Sequence, residues 1–442
     1  MRRDDAAPRG GAVSALGQRL LDALALALDG ARPADLVLRD FFRSQPSLGR
    51  RDRGVIAETV FDVLRHRRLY ANWAQSGIGP MPRRLALIAQ RRLADAGAAP
   101  GGRPALAVEP AEQPWLDRVC ALDPAAVAPP IRFSLPDWLW EALRATHGDA
   151  AAASIAQALL RPAPLDLRVN TSKTTIDDAV RALAADRIVA HPWPGVPGAL
   201  RVEGKPALER SRLFESGGVE VQDAGSQLLA LLAAPRRGRT VVDFCAGAGG
   251  KTLALAALLK NTGQVYACDV SAARLAKLRP RLARAGATNV QPMAIDSEND
   301  PKLVRLAGRA DVVLVDAPCS GSGTLRRNPD LKWRIDEAEI GRLCRTQASI
   351  LEAAARLVKP GGTLVYATCS LLAAENQRIA EGFDAGHPDW RPEPIGPLLE
   401  RLAVGIGRDP ADPGARFLQL RPDRDDCDGF FAACWTRAGS SA

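Results

Sequence analysis

From Thr240 to Ser370 short apolar runs alternate with longer amphipathic stretches, and four of the runs end in or beside an aspartate. T-V-V-D closes on Asp243, Q-V-Y-A-C-D on Asp269, N-V-Q-P-M-A-I-D on Asp296 and D-V-V-L-V-D on Asp316; a fifth, G-T-L-V-Y-A-T-C, ends at Cys369. Strands alternating with helices predict an α/β fold with a parallel, doubly wound, Rossmann-like sheet. A run such as D-V-V-L-V, apolar without alternation, suits a strand buried on both faces. Such sheets bind ligands outside the carboxyl ends of their strands, so acids at four successive strand ends predict one shared cleft. Near the C-terminus, R-F-L-Q-L-R-P and G-F-F-A-A-C-W predict a hairpin that closes one sheet edge antiparallel.

The rest of the chain is organised differently. At 442 residues it has room for two or three domains of about 150. Residues 1–10 are expected to form a flexible tail, 11–130 an all-helical domain with its linker, 131–234 a small α+β domain and 235–438 the doubly wound domain. Leu16, Leu20, Leu24 and Leu28 recur every four residues and mark one apolar helix face. Pro33 opens a second helix through Phe41. Ile56, Val60 and Leu64 place a third over about Arg51–Tyr70, and a fourth follows Pro82 over Arg83–Ala94. Gly97–Pro114, rich in Ala, Gly and Pro, reads as a linker. P-L-D-L-R-V-N-T (Pro164–Thr171) predicts a strand, and V-E-V-Q-D predicts a strand entering a helix capped near Asp223.

The net charge is +9, and the arginines are clustered: Arg50, Arg51 and Arg53; Arg65, Arg67 and Arg68; Arg326 and Arg327. Clustered arginine suits a phosphate backbone, although a soluble arginine-rich surface has the same composition. Without an apolar run of about 18 residues, no membrane helix is predicted, and without a signal-peptide pattern a cytoplasmic monomer is expected. The eight cysteines form no C-x-x-C pair, which argues against zinc or any other structural metal.

The loop Cys245–Lys251 (Cys245, Ala246, Gly247, Ala248, Gly249, Gly250, Lys251) lies between strand and helix. Its glycines let the backbone approach a ligand, either a nucleotide phosphate or the methionine part of S-adenosylmethionine. The G-K-T ending resembles a P-loop, but that cradle needs glycine at position 245, where this chain has cysteine. Asp269 favours the second ligand: a carboxylate ending the second strand accepts the ribose hydroxyls of an adenosine. Asp296 is placed to reach the adenine amino group. Singly, each acid is an ordinary helix cap; together they predict a cofactor cleft.

Cys319, in D-A-P-C, and Cys369, in A-T-C-S, each follow a strand end. If those strands are neighbours, both sulfurs face one pocket. Carbon 5 of cytosine is too weak a nucleophile to take a methyl group directly. A thiolate adding at carbon 6 pushes electron density to carbon 5, and a second thiol, with a base, helps to expel the first. A lone strand-end cysteine is usually core; a pair beside a cofactor loop points to chemistry. The residues alone do not say which thiol attacks. Cys245 and Cys268 are expected to pack, and Cys120, Cys344, Cys427, Cys434 and the four histidines to be structural.

D-F-C-A-G-A-G-G-K-T, C-D-V-S-A-A-R-L, D-A-P-C-S-G-S-G-T-L-R-R-N-P-D-L-K-W, Y-A-T-C-S and D-G-F-F, in this order, resemble the Sun/RsmB (Nop/Sun) family of RNA 5-methylcytosine methyltransferases over about Val219–Arg437. Upstream, L-G-R-R-D-R-G-V-I-A-E-T-V-F is similar to the NusB-like RNA-binding module of the bacterial ribosomal-RNA members, and D-L-R-V-N-T to their small domain. The resemblance implies a class I methyltransferase fold, S-adenosylmethionine as donor and RNA as partner, with small-subunit ribosomal RNA as substrate; the family also contains transfer-RNA enzymes. It implies Cys369 as nucleophile, Cys319 as the thiol that assists product release, and cofactor contacts at Cys245–Lys251, Asp269, Asp296 and Asp316. Two positions depart from the family's pattern. Gly247 and Ala248 stand where it commonly has Ala-Pro, and Asp425 stands where it often has a histidine three residues before D-G-F-F. A P-loop NTPase or an inactive RNA-binding protein are the readings from other classes.

Overall fold

A computed structural model describes residues 14–97, 104–407, 412 and 414–439. The expected tail at 1–10 and the middle of the linker, 98–103, lie outside these residues. The chain divides into two compact units, one running to Leu160 and including Leu325–Ile335, the other comprising Arg161–Thr324 and Asp336 onward.

The first unit is helical. Its helices include Ala15–Asp29, Ala34–Ser44, Arg50–Arg65, Arg67–Trp73 and Met81–Asp95. Ser14 caps the first by accepting from the Gly17 amide, and Gly30 ends it in the left-handed conformation. Leu20 and Leu24, from the predicted apolar stripe, are fully buried with Ile56, Val60 and Tyr70. The single helix expected over 51–70 is broken at His66, whose ring stacks on Tyr70 at 5.2 Å. The apolar period runs through the break, so the pattern did not reveal it. The linker region leads into a helix at Gln113–Cys120 that carries the buried Trp115 and Leu116.

Leu325–Ile335 packs as part of this helical unit. Arg65 Nη2 donates to the Arg326 carbonyl (3.0 Å), Lys332 Nζ to the Arg65 carbonyl (2.9 Å) and Trp333 Nε1 to the Leu64 carbonyl (3.1 Å). The Ala34 amide, at a helix start, donates to Asp330. Burial pushes the Lys332 amine well below its ordinary value, and the nearby Arg65 adds to this. The clustered-arginine reading is corrected here: Arg65 and Arg326 are buried, whereas Arg50 and Arg51 are exposed.

The second unit holds two sheets. The smaller is antiparallel, in the order β2 (Ala190–Pro192), β3 (Ala199–Val202), β1 (Leu165–Val169), β4 (Val219–Val221). Asp223 accepts from the Gly225 amide and caps the helix Ala224–Leu232, as expected. The larger sheet contains β5 (Thr240–Asp243), β6 (Gln264–Asp269), β7 (Val290–Ala294), β8 (Ala310–Asp316), β9 (Val358–Thr368), β10 (Trp390–Glu393), β11 (Leu418–Leu420) and β12 (Phe430–Arg437). Its order is β10-β12-β9-β8-β5-β6-β7, with β11 paired to β12. Strands β5 to β9 are parallel. The apolar strands serve two cores: Leu314 and Val365 pack on one side, Val313, Val315 and Tyr366 on the other.

The antiparallel pairing of β11 with β12 is as expected, but the position of β12 is not. It lies between β9 and β10, and the short β10 forms the edge. A buried run such as F-F-A-A-C-W satisfies partners on both sides, which a hairpin pattern does not specify. Because β6 lies on one side of β5 and β8 on the other, the connections from β5 and β8 diverge and open a crevice at their carboxyl ends. Among the described residues, no helix is long and apolar enough to cross a membrane.

Candidate active site

The crevice is a cavity of ≈ 470 Å³. The loop after β5 reaches it through Cys245, and the end of β6 through Asp269 and Val270. Asp316 ends β8, Pro318 and Cys319 follow it, and Cys369 follows β9. Strands β8 and β9 are hydrogen-bonded neighbours, Asp316 pairing with Ala367, so the two thiols are carried on adjacent strand ends. Their sulfurs are 3.3 Å apart. The hydrogen bond to Cys369 first, and burial second, push the Cys319 thiol well above its ordinary value. Cys319 is therefore protonated at neutral pH and able to donate across that distance.

Asp269 is buried and already organised. Its Oδ2 accepts from the Gly247 amide and its Oδ1 from the Ser271 amide, both at 2.7 Å. A carboxylate offers about four acceptor positions, so two amide bonds leave capacity for a pair of ligand hydroxyls. Val270 and Ile295 supply apolar flanks. These acceptor positions, apolar flanks and volume fit S-adenosylmethionine.

Of the glycine loop, Cys245 alone is among the described lining residues; the remainder shapes the turn behind it. The Ala246 amide donates to the Cys268 carbonyl, and the Ala248 carbonyl accepts from Arg281. Gly249 has φ +86°, and a Cβ there would come within 2.1 Å of the Leu278 side chain, so the turn into the helix Gly250–Leu258 needs glycine. Lys251 points back across the sheet to Asp316, with Nζ to Oδ2 at 2.7 Å. Burial, the largest single influence, lowers the lysine, but the Asp316 charge and hydrogen bond, with smaller contributions from neighbouring Cys369 and Asp243, together outweigh it and the net shift is upward.

Asp296 is placed differently from the other acids. It is exposed and absent from the described lining, and its amide donates to Asp300. Glu298, two residues on, does line the cavity, with its Oε1 held by Ser349 Oγ at 2.5 Å. Arg274 also lines it and approaches Asp269 at 3.6 Å. Sequence reasoning gave neither a role. Arg274 sits inside a quoted motif, but Glu298 follows the strand in an acidic turn with no distinguishing signal. Thr346 and Ile350 enter from the helix Glu337–Ala355, which carries no local mark of a site. Asp425, at the position where a histidine was anticipated, is an internal brace that accepts from the amides of Gly407 and Arg421.

Behind the loop Asp243 is completely buried. Thr252 Oγ1 donates to its Oδ2 at 2.6 Å, while Oδ1 has no hydrogen-bond partner among the described residues. Burial pushes this acid from its ordinary 3.8 up to about 7. The folded chain therefore holds a proton that the unfolded chain has released, and stability declines as pH rises between those values. Asp243→Asn keeps an acceptor for Thr252 and removes that slope. Urea unfolding at pH 5 and pH 8 should show the variant gaining relative to wild type at the higher pH, by about 3 kcal/mol for the two pH units between 5 and 7. An unchanged pH dependence would mean that the acid is ionised in the fold.

Residues 230–436 match the family model described as 16S rRNA methyltransferase RsmB/F, and residues 135–209 match the ferredoxin-like domain model of RsmF/B-like methyltransferases. The chain is 38% identical over 306 residues to a probable ribosomal RNA small subunit methyltransferase B from Synechocystis, covering 68% of this chain and 66% of that protein. The counterpart from Bacillus subtilis is 33% identical over 329 residues, 71% of this chain and 70% of that one. The chain thus spans about two thirds of the length of these relatives. Among solved structures, a methyltransferase homolog protein from Pyrococcus horikoshii superposes with TM-score 0.59 at 29% identity, covering 72% of this chain and 100% of that one. NSun6 from the same organism, solved with SFG, shares the fold at TM-score 0.60 and 21% identity, covering 69% and 99% respectively.

Proposed function

The chain belongs to the 16S rRNA methyltransferase RsmB/F family, and from that premise we propose that it methylates carbon 5 of a cytosine in small-subunit ribosomal RNA through a covalent cysteine–cytosine adduct. The observation that carries the chemistry is the thiol pair, 3.3 Å apart at the wall of a cavity that also presents Asp269. An enzyme that methylates an exocyclic amine needs no such pair. Substrate and donor come from the relatives, which are named as small-subunit ribosomal RNA methyltransferases.

Bound S-adenosylmethionine supplies an electrophilic methyl group on a sulfonium. Cys245, Asp269 and Asp316 line the wall that would hold it, and the rest of the loop, Ala246–Lys251, shapes the turn behind Cys245; Asp296 joins this set only if its exposed side chain turns inward. Cys369 would add as thiolate to carbon 6, moving an electron pair to carbon 5, which would take the methyl group as the donor's methyl–sulfur bond breaks and its sulfur leaves as a neutral thioether. Loss of the carbon-5 proton to a base then re-forms the double bond and breaks the bond from carbon 6 to sulfur. Cys319, held protonated, donates to the departing thiolate. Arg50 and Arg51 in the helical unit are exposed cations suited to RNA phosphates.

The test is transfer of labelled methyl from S-adenosylmethionine to ribosomal RNA, free and in small-subunit particles, with transfer RNA alongside. Label in 5-methylcytosine of the small-subunit RNA is the expected result. Label only in transfer RNA would move the substrate, and label in any other nucleoside would overturn the thiol chemistry.

A further inference from the structure

Cys369 follows β9 directly, but Cys319 stands three residues beyond β8, outside any strand or helix. Something else must hold it against its partner. Glu375, with 0% of its surface exposed, is hydrogen-bonded to the residues next to both cysteines. Its Oε1 accepts from the Ser320 amide (2.8 Å) and from Gln347 Nε2 (3.1 Å). Its Oε2 accepts from Ser320 Oγ (2.5 Å) and from Ser370 Oγ. Ser320 is the residue after Cys319, and Ser370 the residue after Cys369. Gln347 also donates to the carbonyl of Pro318, the residue before Cys319 (2.9 Å). The Tyr366 hydroxyl on β9 fixes the Glu375 carbonyl at 2.6 Å.

We propose that Glu375 is a positioning residue for the thiol pair: one buried carboxylate grips the neighbours of both cysteines and so sets the distance between the sulfurs. A carboxylate only accepts when ionised, and all four groups here donate, so the match is complete. Removing one acceptor leaves a buried donor unsatisfied and frees one side of the yoke. The inference rests on the thiol reading above for its functional consequence, but the spacing can be measured without any turnover.

Diamide oxidises two adjacent thiols to a disulfide, taking up their two hydrogens to become the hydrazine. Wild type should form the Cys319–Cys369 disulfide readily, as read by peptide mapping without reductant. Glu375→Gln places an amide donor against the serine donors; it should close the disulfide ~10-fold more slowly and lower kcat ~10- to 100-fold, with KM for both substrates within ~2-fold. A general structural defect would instead change KM or the folded fraction. Should Glu375→Gln not fold, Ser370→Ala removes one arm of the yoke and carries the same test. A wild-type rate of disulfide closure in whichever variant folds, or no disulfide in wild type, overturns the inference. If closure slows as expected but Cys319→Ala and Cys369→Ala methylate normally, the brace stands and the thiol chemistry falls.

Discussion

Cys369→Ala is expected to lose methyl transfer by ~10⁴-fold or more, about 5.4 kcal/mol of barrier, while keeping its affinity for S-adenosylmethionine within a few-fold. In the proposed mechanism carbon 5 gains its electron density only through sulfur addition at carbon 6, so removing that sulfur stops the reaction. The wall proposed to hold the cofactor is built from different strand ends: Asp269 is held by the amides of Gly247 and Ser271, and neither depends on the thiol. Single-turnover label transfer combined with calorimetric cofactor binding separates the two outcomes. Retained activity would remove Cys369 from the nucleophile's role, and lost cofactor affinity would show that the substitution damages the cleft instead.

Cys319→Ala should fail later, and visibly. Addition and methyl transfer still occur, so label reaches the RNA in the first turnover. On the proposed mechanism release then slows, because the thiol 3.3 Å from the departing sulfur, its proton donor, is gone. Loss of a positioned proton donor costs ~10²- to 10⁴-fold. The expected signature is a protein–RNA adduct that survives denaturing electrophoresis, with one equivalent of label per enzyme and little turnover. The double variant should show no adduct. An adduct formed by Cys369→Ala but absent from Cys319→Ala would exchange the two roles.

Much of this arrangement could be read in advance because it depends on local chemistry at strand ends. Asp269, Cys319 and Cys369 stand where a short apolar run stops, and a parallel sheet gathers such positions into one crevice. The features that escaped notice depend on partners distant in sequence. Glu375 looks like any acid in a polar stretch, and only the fold brings Ser320, Ser370 and Gln347 to it. Lys332 and Arg326 sit in a basic run that resembles a solvated loop, yet both are buried: the Lys332 amine donates to the Arg65 carbonyl, and the Arg65 guanidinium to the Arg326 carbonyl. Asp296 shows the reverse failure. It fits the strand-end pattern, but β7 stops at Ala294 and the chain turns before the acid, so Glu298 reaches the cavity.

The division of the chain also bears on how such a molecule can arise. Leu325–Ile335 belongs with the helices, although it begins only six residues after Cys319. The polypeptide therefore crosses between units three times, and the helical one is completed by a piece borrowed from the middle of the other. Genetic shuffling that moves whole modules at a single junction cannot transplant either unit intact. Deleting the N-terminal residues would strand an eleven-residue segment whose buried Lys332, Arg326 and Leu325 have lost their surroundings. Helical module and thiol-bearing loop are thus heritable only as a linked pair, and a change in one is constrained by the sequence of the other.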